Sequence, residues 1–108
     1  MPKKNLDRKA VPTLVQERLR VWGLVIRKQR ALQRIRAVDL GARMEISETT
    51  LRRLERGDPG IGAALYLMAF QILGIFDELT PLPPNSLWSP HPQQRVRLPS
   101  KASDDAYF

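Results

Sequence analysis

The chain has 108 residues, of which 43% are hydrophobic and 6% aromatic, with no cysteine and a net charge of +7. That length holds one small domain with extensions rather than two domains. Without cysteine there are no disulfides, thiolate metal sites or thiol catalysis. No run approaches the roughly 18 uninterrupted apolar residues of a membrane helix, and the basic N-terminus lacks the apolar stretch of a secretory signal. The cytoplasm is the expected compartment, with no membrane association.

The charge is unevenly spread. Residues 1–36 carry eleven Lys/Arg and two acids, residues 37–79 four and seven, and residues 80–108 three and two. The positive field therefore arises in the N-terminal third, and a polyanion is the expected partner: DNA before RNA, and RNA before an anionic membrane.

In chain order, residues 1–11 (MPKKNLDRKAV) are polar and basic. They read either as an arm lying along a phosphate backbone or minor groove, or as a solvating N-terminus. Pro12 suits the first turn of a helix, and helical periodicity follows from Thr13 to about Leu32. Leu14, Leu19, Trp22, Val25, Ile26 and Leu32 mark its apolar side, and Gly23 is expected to interrupt it. Trp22 reads as a core residue or a dimer contact.

Residues 35–57, IRAVDLGARMEISETTLRRLERG, hold two short amphipathic segments with a four-residue joint. The first spans Ala37 to Met44, with Leu40 and Met44 facing inward. The second follows Ile46, with Ser47 as N-cap and Glu48 adding negative charge to the first turn. At ~100° per residue, Glu48, Thr49, Arg52, Arg53 and Arg56 fall within about 140° of one another, with Leu51 and Leu54 behind. A helix that is apolar behind and guanidinium-rich in front suits an anionic partner, since guanidinium binds phosphate and reads guanine with paired hydrogen bonds. The alternative is a solvated charged face. Gly57 stops the helix, and Asp58-Pro59-Gly60 makes a turn. Ile61 to Leu73 is strongly apolar, with Leu65, Met68, Ala69 and Ile72 sharing a face, so it belongs at the core centre or between subunits. Gly74 ends it, and a short fifth helix is expected over residues 75–79.

From Pro81 six prolines break any helix, and residues 81–108 read as a disordered, extended tail. Residues 94–98 alternate enough to add as a strand on a partner. Near residue 108, Tyr107 and Phe108 follow two carboxylates; this cluster is either a partner-binding element or a soluble end.

The spacing of residues 36–56 is that of a helix-turn-helix. With Ile35, Leu40, Met44, Ile46, Leu51 and Leu54 at apolar positions, and Ser47, Thr50, Arg53, Glu55 and Gly57 in the second half, it resembles the XRE-type, lambda-repressor-like family. That resemblance implies an all-α, compact five-helix domain within residues 12–80, in which residues 12–22 form an N-terminal helical extension before the family's usual first helix. It also implies a structural ion pair between Arg30 and Glu55, neither of which reads bases. Three residues depart from the family pattern. Ala37 stands where a phosphate-holding glutamine is usual, Glu45 where the turn has glycine, and Gly41 where the helix crossing has alanine. The stretch from residue 22 to 80, with its LERGDPG turn and LGIFDEL ending, is similar to HipB-type antitoxins, which accompany HipA-type kinases.

The lone His91 lies between two prolines, no phosphate-binding glycine loop is present, and no carboxylate pair suggests acid–base work. No enzyme, cofactor or metal is expected. The expected function is a homodimeric, sequence-specific repressor of double-stranded operator DNA, cytoplasmic and nucleoid-associated. Under the resemblance it is an antitoxin that represses its own operon and neutralises a HipA-like kinase toxin. Candidate base readers are Thr49, Arg52 and Arg53, with Ser47 and Glu48 as helpers; Arg34, Arg36, Arg43 and Arg56 are phosphate candidates. The alternatives are a stand-alone or phage-type repressor, a mainly protein-binding antitoxin with weak DNA affinity, and an RNA-associated adaptor.

Overall fold

The computed structural model describes residues 10–90, and every regular element among them is helical. The order is α1 (Thr13–Leu32), α2 (Ala37–Arg43), α3 (Glu48–Glu55), α4 (Ala63–Leu73) and α5 (Phe76–Leu79), followed by a 3-10 turn at Asn85–Leu87. The fold is thus the expected all-α, five-helix one. His91, the 94–98 stretch, Tyr107 and Phe108 lie outside the described residues, as do residues 1–9. Val11, assigned to the arm on composition, is buried, and its carbonyl accepts a 2.8 Å hydrogen bond from Gln16 Nε2.

Gly23 does not interrupt α1, which runs unbroken for 20 residues. The glycine is there for a close approach. A Cβ at this position would sit 2.4 Å from the Glu55 carbonyl oxygen and 2.8 Å from that of Leu54. α1 thereby crosses directly over the C-terminal end of α3. One turn on, Ile26 enters the core with Leu40 of α2, Leu51 and Leu54 of α3, and Tyr66 and Phe70 of α4, all fully buried. Trp22 is half-buried over α4, edge-on to Phe70 at 5.1 Å and tilted against Tyr66 at 5.8 Å. Such offset aromatic pairs are favourable beyond their buried area.

α4 lies at the centre but is turned by one residue from the expected face. Tyr66, Ala69, Phe70 and Leu73 are buried, whereas Met68 is exposed. Gln71, which is exposed, is the one polar side chain on α4 besides the Tyr66 hydroxyl, so apolar periodicity sets its rotation only loosely. The tyrosine hydroxyl decides, donating 3.0 Å to the Asp58 carbonyl from an otherwise buried ring. Gln33 Nε2 donates 2.8 Å to the Leu73 carbonyl, satisfying an acceptor that the end of α4 leaves open. Gly74, at φ 81°, turns the chain into α5.

Beyond α5, residues 81–90 lie on the surface. Pro84 leads into the 3-10 turn, and Trp88 Nε1 donates 3.0 Å back to the Pro83 carbonyl. Among the described residues, no helix is long and apolar enough to cross a membrane. Because backbone, not a mobile side chain, meets the added methyl, Gly23→Ala must push α1 off α3. Its expected cost is about 2 kcal/mol of stability, in the range of overpacked cores, read as a lowered urea midpoint with an unchanged m-value.

Candidate nucleic-acid interface

The face of interest is built by α2, α3 and the residues leading into them. Met44 to Ser47 is a four-residue connection between the two helices. Glu45 in it has φ 60°, a left-handed position usually given to glycine. Arg34 adopts the same φ of 60° where the chain leaves α1, a feature no local sequence signal announces. Gly41 is a second close approach, since a Cβ there would lie 2.9 Å from the Ile46 carbonyl oxygen. The residue without a side chain lets α2 seat against the entry to α3. Ala37 is buried at the start of α2 and presents nothing to a phosphate.

α3 is held from three sides. At its start, Ser47 Oγ accepts 3.0 Å from the Thr50 amide and donates 3.1 Å to Thr50 Oγ1. At its back, Leu51 and Leu54 are fully buried. At its end, Glu55 takes two hydrogen bonds from Arg30, 2.7 Å from Nε and 3.1 Å from the second guanidinium nitrogen. Arg30 also donates 3.0 Å to the Ile35 carbonyl. Its ionisation is pushed above its ordinary value, chiefly by the hydrogen bonds to Glu55 and against the cost of burial. Arg30 and Glu55 thus face the interior and are absent from the outer surface.

Thr49 and Arg52 are exposed on the front of α3. Arg52 reaches back along the helix to Glu48 Oε2 at 2.7 Å. Arg53, half-buried, bends away to Asp58 Oδ2 at 2.9 Å, while Asp58 Oδ1 accepts 2.8 Å from the Gly60 amide. Arg53 is therefore oriented by the turn after the helix, and Asp58 is a contributor that a helical wheel misses. Both are joined to the core, because the same Asp58 receives the Tyr66 hydroxyl on its carbonyl.

Arg34, Arg36 and Arg43 are exposed around this face. Arg36 Nε lies 2.8 Å from Asp39 Oδ2. That hydrogen bond holds the Asp39 carboxyl below its usual range, with smaller help from the charges of Arg36 and Arg43. Arg36 is raised mainly by the same bond and least by the field of Glu48, which reaches it from α3. Arg56 stands apart. It lines a polar cavity of about 150 Å³ with Thr13, Gln16, Glu17 and Arg20 of α1, at the end of α3 remote from Ser47.

The assembled surface has guanidinium groups over a short capped helix, with three of them, Arg36, Arg52 and Arg53, each paired to a nearby carboxylate. Its chemistry is that of anion binding with oriented donors. No group of His, Asp or Glu suited to a metal ion occurs among the described residues. No protein-family model, no curated protein and no solved structure matches this chain.

Ser47 has a structural duty whatever α3 touches. Ser47→Ala removes the only side-chain cap on this helix and should cost about 1 kcal/mol, measured by equilibrium urea unfolding in the absence of any ligand.

Proposed function

We propose that the protein binds double-stranded DNA in a sequence-dependent way and acts as a transcriptional repressor, working as two copies related by a two-fold axis. The observation that carries this reading is the exposed Thr49–Arg52 face on a helix capped at Ser47 and backed by Leu51 and Leu54. A helix with donors near its N-terminal end suits the major groove, where arginine distinguishes guanine by paired hydrogen bonds. Arg34, Arg36 and Arg43 supply phosphate contacts that set position without reading sequence. Arg56, exposed at the end of α3, is a further phosphate candidate. Two copies present two such helices to half-sites roughly 34–36 Å apart.

The resemblance of residues 22–80 to HipB-type antitoxins supports a biological setting: a cytoplasmic, nucleoid-associated autorepressor that also neutralises a HipA-like kinase toxin. A second reading, a mainly protein-binding antitoxin with weak DNA affinity, draws on a specific observation. Arg36 and Arg52 are each paired to a carboxylate on the reading face, 2.8 and 2.7 Å away. Such exposed pairs are worth about 0–1 kcal/mol, so a phosphate or a guanine edge can replace the carboxylate at little cost. That weighs in favour of DNA.

The test is binding of the purified protein to the DNA preceding its own gene and to a scrambled fragment, over a range of salt. Preference for the native fragment that persists as salt rises is the expected outcome. Equal binding that disappears steeply with salt would mean that only the basic N-terminal third is engaged, leaving the protein-binding reading first. Arg52→Ala should lose about 1–3 kcal/mol on the native fragment and relax base preference. Arg34→Ala should weaken both fragments alike and lower the salt slope by about 0.9 per lost phosphate contact. Unchanged sequence preference in Arg52→Ala would show that the reading face lies elsewhere.

A further inference from the structure

The two neighbouring arginines of α3 are held in different ways. Arg52 bonds to Glu48 one turn back on its own helix, and the two side chains are 54% and 45% exposed. Arg53 bonds to a carboxylate that is itself fixed. The Asp58 side chain is 23% exposed, its Oδ1 accepts from the Gly60 amide, and its carbonyl accepts from the hydroxyl of buried Tyr66. Gly60 keeps the turn clear beneath the pair: a Cβ there would lie 3.2 Å from Asp58 Oδ1 and 3.3 Å from a terminal nitrogen of Arg53. Arg53 still belongs to the outer side of α3, four residues after the exposed Thr49 and with 40% of its own side chain in solvent.

We propose that Asp58 is a specificity-determining residue: it fixes the Arg53 guanidinium before DNA arrives and keeps it for guanine rather than phosphate. The hydrogen bond to Asp58 runs from Nε. That leaves both terminal nitrogens, the pair that can donate in parallel to O6 and N7 of one guanine. A long side chain ordered before docking loses less freedom in the complex. The carboxylate also offsets the guanidinium charge and would repel a phosphate brought beside it, whereas the edge of a guanine carries no net charge. Arg52, whose partner is exposed and parts cheaply, is not held in this way. Asp58 therefore acts through Arg53 and touches no base itself.

This inference rests on the proposed reading of DNA by α3. Asp58→Asn separates the two duties of the side chain: the amide oxygen can still accept from Gly60, while the amino group meets the Arg53 Nε–H donor to donor. In the protein without DNA, the Arg53 Nε–H should give a proton resonance slow to exchange with water, and Asp58→Asn should abolish it. With the native and scrambled fragments, Asp58→Asn should lower the native preference by about tenfold, the scale of one paired guanine contact. It should bind the scrambled fragment as tightly as the unmodified protein, or up to about threefold tighter, because a negative charge has gone. Gly60 lies outside the left-handed region, so Gly60→Ala can fold while crowding the same guanidinium, and it should lower the preference by a smaller factor. In an Arg53→Ala background, Asp58→Asn should leave the preference unchanged. Rapid exchange at Arg53 in the unmodified protein, or full or increased preference in Asp58→Asn, would overturn the proposal and leave DNA reading standing. So would a loss that Asp58→Asn still produces without Arg53, the mark of a turn that is merely structural. An unmodified protein that does not distinguish the two fragments would overturn the DNA reading and this inference together.

Discussion

Arg30 holds the molecule's three N-terminal helices in one arrangement. From α1 it gives two hydrogen bonds to Glu55 at the end of α3 and a third to the Ile35 carbonyl on the path into α2. Its side chain is 13% exposed and that of Glu55 only 5%. Burying such a pair costs desolvation that the attraction roughly repays, so its net contribution to stability is small. Its contribution to geometry is larger. Removing either partner strands a buried charge at a cost of about 3–5 kcal/mol, which makes other rotations of α3 relative to α1 unfavourable. The pair also depends on Gly23, because α1 can lie against the Glu55 carbonyl only where no side chain intervenes.

That constraint matters because α3 is short. Eight residues do not make a stable helix in water. Its order comes from the Ser47 cap, the buried leucines and the Arg30 clamp. What is left over is the outer face, and there the interactions are of another kind. Arg36–Asp39 and Arg52–Glu48 are exposed pairs, with 77% of the Arg36 side chain and 54% of the Arg52 side chain in solvent. Water screens them and they part cheaply. Strong, dry contacts behind α3 and weak, wet ones in front give a rigid backbone carrying reorientable cations. Arg53 lies between these extremes, with 40% exposure and a carboxylate partner tied to the core.

The parts legible in the sequence are those decided by near neighbours. The bounds of α2 and α3, the Ser47 cap and the Gly57 stop follow from spacing within a few residues, whereas the left-handed turn at Glu45 is legible only through the family resemblance. Gly23 was misleading for the opposite reason. As a weak helix former it signals a break, yet its role is set by a carbonyl thirty-two residues further on. The rotation of α4 was hard to read because apolar residues spread over more than one of its sides, with Gln71 and the Tyr66 hydroxyl its only polar groups; the first is exposed and the second bonds to the Asp58 carbonyl. Asp58 escaped because a wheel drawn for α3 ends where the turn begins, and the turn supplies the carboxylate that orients Arg53. Arg56 is exposed as the wheel has it, and the cavity it lines with Arg20 of α1 depends on a crossing that no local spacing announces.

The location of the positive charge gains meaning from the same crossing. Arg18, Arg20, Arg27 and Lys28 are exposed on α1. On a tail, such charges would attract a polyanion in any orientation. Here they sit on a 20-residue helix bolted to α3 through Gly23 and Arg30. The long-range field of the domain is therefore fixed in direction relative to the α3 face. Under the proposed reading, diffusional capture and base recognition are functions of one rigid body: α1 supplies the salt-sensitive attraction, α3 the discrimination, and the buried ion pair the angle between them.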